Sequence, residues 1–149
     1  MRIFVLLFFV LPVLFSCESN QRQDLIVGAW KIDSTYTYYN GFDFTQRAAD
    51  RDWATYIYEK DGMMKEVKTD FFQSYFFKFL SEDTLVVSSA RGGDRATFNI
   101  LYLDTKQMAL RKAKDPVFSG GNQERYEIRY FSRISLPADS LTLFSDPRN

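Results

Sequence analysis

Polar and apolar residues alternate along residues 25–39, LIVGAWKIDSTYTYY. Ile26, Gly28, Trp30, Ile32, Ser34, Tyr36 and Tyr38 fall on one face, and Lys31, Asp33, Thr35 and Thr37 on the other. A period of two is the mark of a half-buried strand. Asn40-Gly41 ends it with turn chemistry. Residues 42–52, FDFTQRAADRD, break the pattern, and Thr45 is placed to cap a short helix over 46–52. Hairpins follow. Residues 53–58 and 63–69 flank Lys60-Asp61-Gly62, a strong hairpin signal. Residues 74–80 and 84–89 flank Ser81-Glu82-Asp83, and residues 95–103 and 107–112 flank Asp104-Thr105-Lys106. Gly92-Gly93 separates the second hairpin from the third. A loop over 113–122, with Pro116 and Gly120-Gly121, leads to a last long strand over 124–134. There Tyr126, Ile128, Tyr130 and Ile134 share a face. Residues 140–144, SLTLF, provide one further strand, and 146–149 fray.

The pattern predicts an all-β chain: an antiparallel up-and-down sheet of eight strands, with room for a ninth or tenth, and no long amphipathic helix. A twisted sheet of that size curls, and closure into a barrel removes its exposed edges. Eight strands enclose either packed side chains or one small ligand.

The N-terminus reads differently. Arg2 precedes an apolar run over 3–15, interrupted by Pro12 and too short to span a bilayer comfortably. Leu14-Phe15-Ser16-Cys17 follows and looks like a bacterial lipobox, although Phe15 is unusual at its position. That resemblance implies removal of residues 1–16 as a signal peptide and lipidation of Cys17. The membrane is then a partner through the lipid, in the bacterial envelope, with the outer membrane favoured. The competing reading is an ordinary secretory peptide with an incidental cysteine. Residues 18–24, ESNQRQD, read as a polar tether of about 25 Å when extended. The folded domain is expected over 25–145.

Composition narrows the chemistry. The 149-residue chain has a formal net charge of +0 and no basic patch, so a nucleic-acid partner is not expected. It has no His, which removes the commonest general base and zinc ligand. Its one Cys allows no internal disulfide. Asp43, Asp50 and Asp52 sit near the expected mouth, but nothing in their spacing defines a catalytic carboxylate pair. Lys65, Glu66 and Lys68 read as surface charge. No metal, no cofactor and no catalytic residue is expected. A hydrolase or isomerase built on carboxylates and tyrosines is a third, weaker reading.

Gly28-x-Trp30 at the start of an eight-strand meander resembles the opening motif of the lipocalins, and LIVGAWKI resembles that of bacterial lipocalin-like lipoproteins. The resemblance implies that the glycine permits close packing and that the tryptophan plugs the closed end of the barrel. It also implies an arginine across the indole, for which Arg133 stands in the right region. By strict alternation Arg133 lies on the face opposite Tyr130 and Ile134, so the contact needs a wrap around the end or a bulge. The disulfide of many secreted lipocalins is absent. With this phase the expected cavity lining includes Tyr36, Tyr38, Tyr56, Tyr58, Tyr75, Phe98, Tyr102, Tyr126 and Tyr130, with Val67 also inward. Phe42 and Phe44 form a lid over the open end. Buried tyrosines join an apolar ring to a hydroxyl that needs a partner. The expected function is non-catalytic binding of a small apolar or amphipathic molecule. The alternative is a solidly packed barrel serving as a protein–protein accessory module.

Overall fold

The computed structural model describes residues 18–69, 72–118 and 122–136. The expected signal peptide, Cys17, Gly120-Gly121 and the strand over 140–144 lie outside them. One helix precedes nine strands: α1 (Glu18–Ile26), β1 (Gly28–Tyr39), β2 (Phe42–Arg47), β3 (Thr55–Tyr58), β4 (Met63–Val67), β5 (Phe72–Ser81), β6 (Thr84–Ser89), β7 (Arg95–Leu103), β8 (Gln107–Ala113) and β9 (Arg125–Ile134). Each strand from β3 to β9 pairs antiparallel with the next, and β9 pairs with β1 along Ala29–Tyr39. The lower part of β1 pairs with β3 through Gly28–Lys31. The result is a closed, eight-stranded antiparallel barrel, with β2 as an extra strand.

β2 replaces the expected loop and helix. Asn40 and Gly41 both have positive φ, 46° and 90°, as the tightest hairpin turns require. They fold residues 42–47 back along Ser34–Tyr39. Only Ala48–Asp50 form a helical turn, of the 3-10 type, and its N-cap is Arg47 rather than Thr45. β2 and β3 therefore lie end to end on one edge of β1, split by residues 48–54.

The other turns follow their sequence signals. Gly62 takes φ 87°, and Asp61 Oδ1 accepts a 3.0 Å bond from the Met63 N–H. Asp104 Oδ1 accepts from the N–H groups of Lys106 and Gln107, both at 2.7 Å. Such side-chain caps let aspartate close a short connection.

The polar tether is also different: residues 18–26 are helical and pack beneath the barrel against β5 and β7. Ile26 and Trp30 are fully buried at this closed end, with Ile32, Leu85 and Met108 beside them. A helix C-terminus leaves carbonyls without helical partners. Here the Trp30 indole N–H donates to Ile26 C=O at 2.7 Å. Arg133 donates through Nη1 to Val27 C=O at 2.7 Å and through Nη2 to Leu25 C=O. Its guanidinium carbon lies 4.3 Å from the centre of the Trp30 ring, a cation–π contact. No described helix is long and apolar enough to cross a membrane.

Gly28 makes room for this arrangement. Its φ is +134°, and a Cβ there would run into Arg133 Nη1. Gly28→Ala is expected to destabilise by about 1–3 kcal/mol from backbone strain, plus the displacement of Arg133. Denaturant titration checks this, and an Arg133→Ala background should absorb part of the loss. A neutral Gly28→Ala would show that the close approach is not needed.

Candidate functional site

A β-bulge decides which side chains enter the barrel. Along β1 and β9, Ile32 pairs with Phe131, but Ser34 pairs with Tyr130, leaving Asp33 extra. One extra residue reverses the side-chain phase beyond it. Trp30 and Ile32 point inward below the bulge. Above it Thr35, paired with Arg129, points inward and is buried.

Tyr36 and Tyr38 therefore face outward, a correction to the strict alternation. So do their partners on β9, Ile128 and Tyr126. Tyr38 stacks on Tyr126 at 4.9 Å between ring centres, and Arg111 covers Tyr126 at 4.0 Å. The Tyr36 hydroxyl donates to Asp43 at 3.0 Å. Tyr130 shares that outer phase. Tyr102 follows a second irregularity, between Ile100 and Tyr102, and is 41% exposed. None of these five tyrosines lines the cavity.

The inward phase of β9 is instead Glu127, Arg129, Phe131 and Arg133, so Arg133 reaches Trp30 without any wrap. On β4 it is Met64 and Glu66, not Val67, and Glu66 is not surface charge.

The interior holds a cavity of about 400 Å³, within the range of roughly 300–1,000 Å³ of small-molecule sites. Its apolar wall comprises Met64, Val87, Ala96, Phe98, Leu110 and Phe131. Tyr56, Tyr58 and Tyr75 line it as expected, as does Phe98. Its charged lining comprises Glu66, Asp94, Arg95, Lys112 and Arg129, none of them among the expected inward residues. Tyr58 sits edge-on to Phe77 and Tyr56 edge-on to Phe131. The Tyr75 hydroxyl donates to Glu66 at 3.2 Å.

Burial pushes the Tyr56 hydroxyl up to about 12, against the opposing pull of Arg129, and pushes Tyr58 up further. Both remain neutral donors at physiological pH. Glu127 holds Arg129 Nε at 2.5 Å and Lys114 Nζ at 3.1 Å. Its side chain is only 16% exposed. Burial alone would raise its carboxyl, but Arg129 and Lys114 more than reverse this and hold it below the ordinary 4.5.

Phe42 and Phe44 pair with Tyr39 and Thr37, and Thr37 pairs with Glu127. They belong to the inward phase at the rim. They are 78% and 55% exposed, and neither lines the cavity. Among the described residues no cluster of three His, Cys, Asp or Glu is placed to hold a metal.

The closed eight-stranded barrel is compatible with a lipocalin-like fold. No protein-family model matches the chain, and no curated protein matches it.

The Glu127 network gives stability a defined pH dependence. A carboxyl whose folded pKa is lowered contributes stability above its unfolded value, about 4.3, and loses it as pH falls through the folded one. Glu127→Gln should therefore cost about 1–3 kcal/mol at pH 7, by weakening bonds to charged partners. It should also flatten the decline in stability below about pH 5. Chemical denaturation across pH 3–7 checks both, and parallel curves for the two proteins would contradict the role of Glu127.

Proposed function

We propose that this protein is a lipid-anchored, lipocalin-like lipoprotein that binds a small apolar or amphipathic molecule inside its barrel without catalysis. The observation that carries this reading is the cavity of about 400 Å³ in a closed barrel, apolar on one side and charged on the other. A barrel built only for stability would fill that space, because interiors pack to the density of organic crystals. A ligand that loses about 300 Å² of apolar surface to such a wall gains several kcal/mol at roughly 25 cal/mol per Å², before entropy costs. Tyr56 and Tyr58 offer neutral hydroxyls to its polar end.

The anchoring part of the proposal rests on the sequence Leu14-Phe15-Ser16-Cys17 after an apolar run. It assigns the chain to the bacterial envelope, with the outer membrane favoured. Two lipid chains suffice for stable anchoring. The second reading, an accessory module for a protein partner, is favoured by one feature: Phe42 and Phe44 present large apolar surfaces to solvent at the rim.

Nile red titrated into the purified protein should show saturable binding to one site. Ala96→Trp, which places an indole in the cavity, should reduce that binding at least about ten-fold, equivalent to about 1.4 kcal/mol, while leaving the circular dichroism spectrum unchanged. Equal binding by both proteins would move the probe to the surface and favour the partner-module reading.

Cys17→Ala should abolish lipid attachment. In fractionated cells the variant should be released or accumulate as the uncleaved precursor. Normal processing and anchoring of the variant would overturn the lipobox reading.

A further inference from the structure

The cavity is lined by three cations, Arg95, Lys112 and Arg129, and by two carboxylates, Glu66 and Asp94. Both oxygens of Glu127 are engaged, Oε1 by Arg129 and Oε2 by Lys114. Lys112 lies directly opposite Glu127 in the β8–β9 register. Even so, no carboxylate among the described residues comes within 4.0 Å of its Nζ. The other carboxylates of the wall are Glu66, which accepts from Tyr75, and the exposed Asp94. The Lys112 ammonium instead rests 5.9 Å from the centre of the Phe98 ring, and the Arg129 guanidinium 6.0 Å from the same centre. Two cations thus flank one ring on the cavity wall.

A partly desolvated ammonium without a counter-ion is unfavourable. Burial and the nearby charges of Lys114 and Arg129 lower the basicity of Lys112 accordingly. An anion seated between Lys112 and Arg129 would relieve that cost and form charge-assisted hydrogen bonds. Below them the wall turns apolar, through Phe98, Leu110, Val87 and Phe131. A neutral ligand would leave Lys112 unpaired, and a cationic one would worsen the excess.

We infer that the ligand is an amphiphile with a single anionic head of the carboxylate class, held between Lys112 and Arg129, with its apolar part against Phe98 and Phe131. This rests on the ligand-binding reading above.

The test compares three ten-carbon competitors for displacement of Nile red: decanoate, decanol and decyltrimethylammonium. Decanoate should displace the probe at a concentration at least about ten-fold lower than decanol, as expected for one hydrogen-bonded charge pair. Decyltrimethylammonium should be the weakest. Lys112→Met keeps the bulk of the side chain and should bring decanoate close to decanol while decanol itself is unchanged. Lys112→Gln provides the same comparison should the methionine variant fold poorly. Equal displacement by decanoate and decanol in the unaltered protein would overturn the anion assignment and leave the cavity reading standing. A carboxylate preference that survives in both Lys112 variants would overturn the role of Lys112. Failure of Nile red to bind at all would overturn the cavity reading, and the anion assignment with it.

Discussion

The contact of Arg133 with the end of α1 and the face of Trp30 is the constraint on which the rest of the barrel depends. It ties together the helix, the first strand and the last strand at one place. The Leu25 and Val27 carbonyls receive the guanidinium, and the Ile26 carbonyl receives the indole. A positive charge at a helix C-terminus also complements the helix dipole. The Leu25 and Val27 carbonyls receive Arg133 only when β9 lies beside β1, so barrel closure also caps the helix. Gly28 belongs to the same unit, since any side chain there would occupy the space of the guanidinium. The closed end is accordingly apolar and filled, with Trp30, Ile26 and Met108 fully buried.

The same contact fixes the chemistry of the opposite end. With Arg133 inward, the period of two places Phe131, Arg129 and Glu127 inward as well. The bulge at Asp33 keeps β1 in step, bringing Thr35 and Thr37 to face them. The outward tyrosines then form a stacked strip with Arg111 on the outer wall. Without the bulge, Ser34, Tyr36 and Tyr38 would point inward opposite Arg129, Glu127 and Arg125. A single inserted residue thus puts threonines in place of tyrosines on the β1 wall of a chamber whose β9 wall is charged.

Much of this was legible in the sequence. The hairpins at Asp61-Gly62 and Asp104–Lys106 follow directly from turn chemistry, and the all-β barrel follows from their succession. Asn40-Gly41 carried the signal for β2 as well, but the polar run after Phe44 obscured it. The helix over 18–26 was not legible, because its residues show no apolar periodicity. Its support comes from Arg133 and Trp30, which are distant in sequence. The phase of β9 was legible in principle. Reading ERYEIRYFSRI for its apolar residues puts Tyr126, Ile128 and Tyr130 inside. Placing Arg133 on Trp30 first gives the observed phase. Hydrophobicity misled here because the inner face at the mouth is charged. A bulge such as that at Asp33 leaves no mark on the alternation that precedes or follows it.

The distribution of charge inside the barrel bears on why the interior is not filled. Replacing a buried ionic group by well-packed apolar side chains is often neutral or stabilising. An interior selected for stability alone would therefore favour aliphatic residues at 112, 127 and 129. Glu127 offsets the burial of Arg129 and Lys114 by bonding both, but doing so leaves Lys112 over to face the cavity. The charged cluster is thus a cost that the fold alone does not require, carried at the open end where a solute can reach it. The filled end around Trp30 carries the stability that such a mouth gives up. This division, a packed closed end and a polar open one, is the arrangement expected of a barrel that receives a molecule.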